Sequence, residues 1–88
     1  MNDSKRKKLR IAVRNIDAAI SLATQLTQQV ADQESDSLDN IPENLQYSDR
    51  YESMEDAVSS LESAIDNLDS AKEYWDIAKT DILDAISK

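Results

Sequence analysis

Carboxylates are the chemistry-bearing side chains that this chain has in quantity, with 18 Asp and Glu residues against 10 Lys and Arg. The chain has no His and no Cys, so it lacks the usual general base near neutral pH and the thiolate ligands of metal sites. It also has no Gly, which phosphate-binding loops need for close backbone approach. We therefore expect a non-enzymatic protein with no catalytic residues, no cofactor-binding residues and no metal site.

One acidic segment is spaced like the ligands of a calcium loop. Its oxygen donors are Asp32, Glu34, Asp36 and Asp39. Counted from Asp32, the sixth position is Ser37 rather than the Gly that such a loop needs for its sharp turn. We expect nonspecific cation attraction at most from this segment.

A second set of acids follows one outer face of the C-terminal half of the chain. Its members are Glu55, Glu62, Asp66, Asp69, Glu73 and Asp76. One interpretation is a solvated face that keeps an apolar bundle soluble. The other is mimicry of nucleic acid, although a row that repeats every ~10.5 Å is sparse beside duplex DNA, with about one charge per ~1.7 Å.

The element that carries these acids is a long helix with an unbroken heptad pattern. Its first row is Ala57, Ala64, Ala71, Ala78 and Ala85, and its second is Leu61, Leu68, Trp75 and Ile82. A seven-residue period over four repeats predicts packing along one seam. We expect both rows to be core, with Trp75 as the large residue opposite small Ala; an exposed binding anchor is the alternative for Trp75.

The N-terminal half also has a helical apolar stripe. Its residues are Leu9, Ala12, Val13, Ile16, Ala19, Ile20, Ala23, Leu26, Thr27 and Val30. The pattern predicts one helix over about 4–39, capped by Asp3 or Ser4, a turn over about 40–48, and a helix over about 49–87, capped by Ser48 or Asp49. So short a connection predicts an all-α antiparallel coiled-coil hairpin that forms one domain over 1–88.

Charge is distributed unevenly along the chain. Residues 1–14 carry a net charge of +5, and residues 15–88 carry −13. In a hairpin, we expect the basic start, Lys5 to Arg14, to lie beside Asp76, Asp81 and Asp84 and to be neutralised by them. We also expect Lys72 to pair with Asp17 across the hairpin, and with Asp76 along its own helix.

A second apolar stripe predicts association. Its residues face away from the predicted seam, and we take them as interface candidates: Ile11, Ala18, Leu22, Tyr74 and Ile77. A small domain with a thin core and no disulfide gains stability from a partner. We expect a homodimeric four-helix bundle, with a different protein as the alternative partner.

The turn has a distinctive sequence, Pro42-Glu43-Asn44-Leu45-Gln46 followed by Ser48, Arg50, Tyr51, Glu52, Met54, Glu55 and Ala57. It resembles the PENLQ-x-S-x-R-Y-E-x-M-E-x-A turn of small, uncharacterised helical-hairpin proteins of Gram-positive bacteria, their phages and mobile elements. The resemblance covers the chain from Asn40 onward. It implies a bacterial, phage or plasmid accessory protein and carries no activity with it.

The turn residues also have a structural interpretation. We expect Ile41 and Leu45 to fold over the helix ends, Pro42 to stiffen the turn, and Arg50 and Tyr51 to bond the open carbonyls at the end of the first helix. The alternative is a recognition tip at the end of a rod.

These observations favour a protein–protein interaction module. The first alternative is a phage or mobile-element inhibitor that occupies a host nucleic-acid-binding protein with its acidic face. The second is docking to nucleic acid or a membrane through the basic N-terminus, which the acidic remainder of the chain disfavours. With no secretion signal and no run of ~20 apolar residues, we expect a cytoplasmic location.

Overall fold

The computed structural model describes residues 1–88 and confirms an all-α hairpin of two long helices packed against each other. Helix α1 spans Asp3–Asp39 and helix α2 spans Asp49–Ser87, with one short 3₁₀ turn at Glu43–Leu45 between them. The molecule is a rod of 66 × 16 × 15 Å. Neither helix contains a stretch long and apolar enough to cross a bilayer.

Side-chain caps begin both helices. The Asn2 side chain accepts a hydrogen bond from the Lys5 amide (2.9 Å), so the predicted cap at Asp3 or Ser4 is wrong by one or two residues. Asp3 instead lies in the first turn of α1, where a carboxylate is favourable to the helix dipole. The Ser48 hydroxyl accepts from the Tyr51 amide (3.2 Å), which makes Ser48 the cap of α2, one of the two residues predicted.

The turn satisfies the end of α1 through its own backbone. The Asn40 amide donates to the Asp36 carbonyl and the Ile41 amide to the Leu38 carbonyl. Neither the Arg50 nor the Tyr51 side chain bonds a carbonyl there, so that prediction is wrong: backbone amides of the turn bond the Asp36 and Leu38 carbonyls instead. Within the turn itself, Gln46 Nε2 donates to the Ile41 carbonyl (3.4 Å).

Helix α2 meets α1 along a regular heptad seam. Apart from Ala64, its buried and half-buried side chains recur at steps of three and four residues, with one step of seven across the exposed Lys72: Tyr51, Met54, Val58, Leu61, Ile65, Leu68, Trp75, Lys79, Ile82 and Ile86. The predicted row of Leu61, Leu68, Trp75 and Ile82 lies in this seam.

The Ala row of α2 lies outside the seam, and its assignment to the core is wrong. Only Ala64 is half-buried; the other four are exposed: Ala57, Ala71, Ala78 and Ala85. The Leu row has apolar neighbours on both sides, Ala on one and Val58, Ile65 and Ile86 on the other. The branched side chains remove more apolar surface from water than Ala methyl groups do, so they face α1.

Helix α1 presents a more polar edge to the seam than its apolar stripe predicts. Leu9, Val13 and Ile20 face α2, but the line continues through Asp17, Thr24, Thr27, Ala31 and Glu34. Three large residues of the predicted core face are left partly in water, Ile16 at 39%, Leu26 at 50% and Val30 at 41% of full exposure. Ala12 and Ala19 are exposed beside them.

The hairpin therefore has a very thin core. Four residues are buried in all, Val13, Ala31, Val58 and Ile86, and none of them is large and fully enclosed. A single seam between two helices leaves most apolar side chains with water on one side. The fold is well defined by its helices, but its stability from burial is small.

Because Val58 is one of the four buried residues, Val58→Ala should destabilise the chain by about 1.5–2 kcal/mol, the loss of two buried carbon groups and a small cavity. Urea unfolding followed by circular dichroism measures this. Ile77→Ala is the control, since Ile77 is exposed, and should cost less than about 0.5 kcal/mol. Equal losses in the two variants would show that the seam is placed wrongly.

Candidate protein-interaction surface

The strongest polar contact between the helices is centred on the Asp17 carboxylate. Trp75 Nε1 donates to one carboxylate oxygen (2.7 Å) and Lys79 Nζ to the other (2.7 Å). The hydrogen bond from Lys79, and secondarily that from Trp75, lowers the pKa of Asp17 below its ordinary value. Both oxygens of one residue on α1 are thus held by two residues on α2, one turn apart.

This contact corrects the predicted Lys72–Asp17 pair. Lys79, one heptad further along α2, bonds Asp17 instead, and Lys72 pairs with Asp76 on its own helix (3.6 Å), as predicted. Lys72 remains near enough to Asp17 to attract it weakly. A groove of about 190 Å³ lies beside them, and Ile20, Thr24, Gln25 and Trp75 are among its lining residues.

The predicted neutralisation of the basic N-terminus by the acidic end of α2 does not occur through ion pairs. Arg6 alone reaches α2, where its Nε donates to the Ile86 carbonyl (3.0 Å), an acceptor that the helix end leaves free. Asp84 pairs with Lys88 within α2 (3.8 Å). The other five basic residues of the N-terminal segment form no ion pair: Lys5, Lys7, Lys8, Arg10 and Arg14.

The acidic candidates are exposed and share one side of the rod. The row Glu55, Glu62, Asp69 and Asp76 lies next to the seam, on the side where Asp17, Ser21 and Thr24 of α1 also lie. Asp66 and Glu73 lie further round α2. Of these six, only Asp76 has an ion-pair partner. No group of three or more acids is placed to hold a metal ion.

The five predicted interface residues are all exposed, but they do not form one surface. Ile11 and Ala18 share a heptad row with Gln25, which lines the groove beside Asp17 and Asp76, so they lie toward the acidic side of α1. Leu22 and Ile77 lie on the backs of α1 and α2, Leu22 at the border of the side away from the acidic row, and Tyr74 lies on that side of α2. The stripe predicted from helix 1 alone is therefore divided between different sides of the rod.

At the turn, the predicted residues separate in the same way. Ile41, Pro42, Leu45 and Arg50 line a shallow groove of about 320 Å³, whereas the Tyr51 side chain lies in the seam. Leu45 lies in this groove beside the end of α1 and the start of α2, and it is half-exposed there. The most exposed large side chain of the molecule, Tyr47, lies in this turn.

The turn groove also shows which flanks of the two helices share a side of the hairpin. It joins Ser37 and Asn40 of α1 to Arg50 and Met54 of α2. Heptad steps back from Asn40 reach Leu26, Ala19 and Ala12, and steps back from Ser37 reach Val30, Ala23 and Ile16. Heptad steps forward from Arg50 reach the whole Ala row of α2.

Sequence analysis missed the surface that results. It is made of Ala12, Ile16, Ala19, Leu22, Leu26 and Val30 from α1, and of the Ala row with Tyr74 from α2. Counting only the exposed residues on this side between Ala12 and Gln33 and between Ser53 and Ala78 gives 16 positions, and none is charged. In a chain with 32% charged residues, about five would be expected. We call this surface the uncharged face.

The fold and this surface define a class, an all-α antiparallel helical hairpin with one acidic and one uncharged side. No protein-family model matches the chain, and no curated protein or solved structure shows significant similarity to it.

The Asp17 contact predicts how stability depends on pH. Since the pKa of Asp17 is lower in the folded chain than its ordinary value of 3.8, the stabilisation is present above that value and is lost as the pH falls through the lower folded value. Asp17→Asn should therefore lower the melting temperature at about pH 7, and its deficit relative to the parent should shrink toward about pH 2. Thermal unfolding of both proteins across this range measures it.

Asp66→Asn is the matched control, because Asp66 is an exposed carboxylate without a partner. It should not reproduce the pH-dependent deficit. A deficit in Asp17→Asn that is the same at both ends of the pH range would contradict the ion-pair role.

Proposed function

We propose that this protein is a non-enzymatic interaction module that works by binding another protein chain through its uncharged face. The observation that supports the proposal is the combination of a four-residue core with a long side of the rod that lacks charge. Solvent-facing helix sides in small soluble proteins are normally rich in charged residues. A side that avoids them over many heptads is typical of a surface covered by protein.

The arrangement of side chains on this face also suits helix packing. Large residues, Ile16, Leu22, Leu26 and Val30, follow α1, and only small residues and one Tyr follow α2. Such a surface offers ridges on one helix and a shallow channel on the other. Grooves occur on this side only at its two ends, at the turn and beside Met1, Lys5, Lys8 and Leu9. The length of the face between them has no enclosed pocket of the kind that small molecules bind.

A second candidate function uses the opposite side. Glu55, Glu62 and Asp69 are exposed and unpaired on one edge of α2, which favours an inhibitor from a phage or mobile element that fills the basic groove of a nucleic-acid-binding host protein. The two candidates use different sides of the rod, so one experiment can separate them.

Photocrosslinking in bacterial cells tests both candidates. A benzoylphenylalanine in place of Leu26, on the uncharged face, should form adducts with protein, whereas one in place of the adjacent Gln25 should not, because Gln25 lies on the opposite side, in the groove with Asp17 and Asp76. A third probe at Ser59, beside the acidic row, reports on the second candidate.

Adducts from Leu26 that also form when a cell lysate is irradiated in about 1 M salt support the first candidate, because apolar contact does not depend on electrostatic attraction, which is screened within ~3 Å at that salt concentration. Adducts from Ser59, with or without Gln25 but without Leu26, that fail to form in high salt would replace it with the second candidate. An absence of adducts from Leu26, or equal adducts from Gln25, would contradict the proposed function.

A further inference from the structure

We propose that the occupant of the uncharged face is a second copy of this chain, packed with its turn at the same end, so that α1 of each copy lies over α2 of the other. This inference rests on the proposed function and names its partner. The result is a two-fold symmetric four-helix bundle.

Size is the first argument. The uncharged stretch of α1, from Leu9 to Gln33, is about 36 Å long at ~1.5 Å per residue. With a rod width of 16 Å, its footprint is about 580 Å² before the relief of the side chains is counted. Specific interfaces bury about 600–1,000 Å² per partner. The flat footprint is just short of this range, and protruding side chains add accessible area to it, so the face is comparable in size to a small specific interface and can be covered by one hairpin.

Shape is the second argument. The face has large side chains on α1 and Ala on α2, so a copy turned about an axis parallel to the helices sets large residues against small ones on both sides of the interface. Alternation of large and small residues across facing helices fills a core at native density. The other two-fold packing, with turns at opposite ends, would place α1 on α1 and the Ala row on the Ala row.

Charge at the ends of the face is the third argument. Lys5 and Lys8 lie on this side at the start of α1, and Asp81 lies on it near the end of α2. None of the three has an ion-pair partner within the hairpin. With turns at the same end, these lysines of one copy lie over Asp81 of the other, twice by symmetry. Opposite charges at the rim favour this register.

The first experiment is light scattering behind size exclusion over about a hundredfold range of concentration. The parent should be a dimer that dissociates on dilution. Ala71→Glu should weaken dimerisation at least about 100-fold, because symmetry places two carboxylates in an apolar interface. Ser70→Glu is the control: it adds the same charge one residue away, on the back of α2, and should leave the dimer intact.

Since Ala71 is exposed in the hairpin, Ala71→Glu should remain as helical as the parent by circular dichroism. Leu26→Glu provides the same test from the α1 side. A parent that is helical but monomeric at every concentration would overturn the inference that a second copy occupies the uncharged face. In that case, adducts from Leu26 to a different protein would still support the proposed function. A dimer that survives both substitutions places the interface elsewhere and also overturns the inference.

Orientation is tested by a distance between turns. The chain has no Cys, so Asn44→Cys provides one spin-label site per copy. Turns at the same end of two helix layers ~10 Å apart predict a label separation of roughly 15–30 Å. A separation comparable to the 66 Å length of the rod means that the turns lie at opposite ends and overturns the proposed arrangement.

Discussion

The rotation of α1 about its own axis places the Asp17 carboxylate at the seam, where it makes the shortest hydrogen bonds between the two helices. Trp75 and Lys79 hold its two oxygens, and both lie in the α2 seam. An ionised carboxylate that accepts two short bonds, one of them from an ammonium group, makes stronger contacts than the neutral pairs around it. With the Asp17 edge turned toward α2, Thr24 and Ala31 lie in the seam with Asp17, and Ile16, Leu26 and Val30 lie outside it.

This constraint explains why the rod has two chemically different sides. On α2, the seam divides an acidic row, Glu55 to Asp76, from the Ala row. On α1, the edge with Asp17 faces the acidic side, so the large apolar residues come to lie next to the Ala row. The polar contacts between the helices and the apolar surface beside them therefore both accompany the same rotation of α1 about its axis. The hairpin uses little of its apolar surface internally, and the remainder is gathered where another helix pair can cover it.

Much of the fold follows from the sequence. The heptads, Pro42 in the turn and the cap at Ser48 predicted both helices and their antiparallel pairing, and the helix bounds agree within a residue. The seam was harder to predict. The Leu row has apolar residues on both sides, the Ala row on one and Val58, Ile65 and Ile86 on the other. Periodicity does not say which of these two rows packs against α1, and in the structure it is the row of Val58, Ile65 and Ile86. Lys72 and Lys79 are one heptad apart and equally suited to Asp17 by charge, so the choice depends on the axial register of the pair.

The candidate surface shows the same limit. Leu22 and Tyr74 were found from the sequence because each is apolar and faces away from the predicted seam. The rest of the uncharged face was not found, because Ile16, Leu26 and the Ala row had been assigned to the core. A search for helix sides without charged residues, in place of a search for apolar stripes, would have identified the side of each helix that contributes to the uncharged face. Combining them into one surface still required knowing that they lie on the same side of the hairpin.

The central claim is that the hairpin completes its core by covering the uncharged face with a second copy. The most direct measurement is the thermal midpoint of the parent as a function of its own concentration. A hundredfold increase should favour the folded dimer by about 2.7 kcal/mol and raise the midpoint clearly. A midpoint that is high and unchanged over this range would mean that the four-residue core suffices, and it would contradict the account.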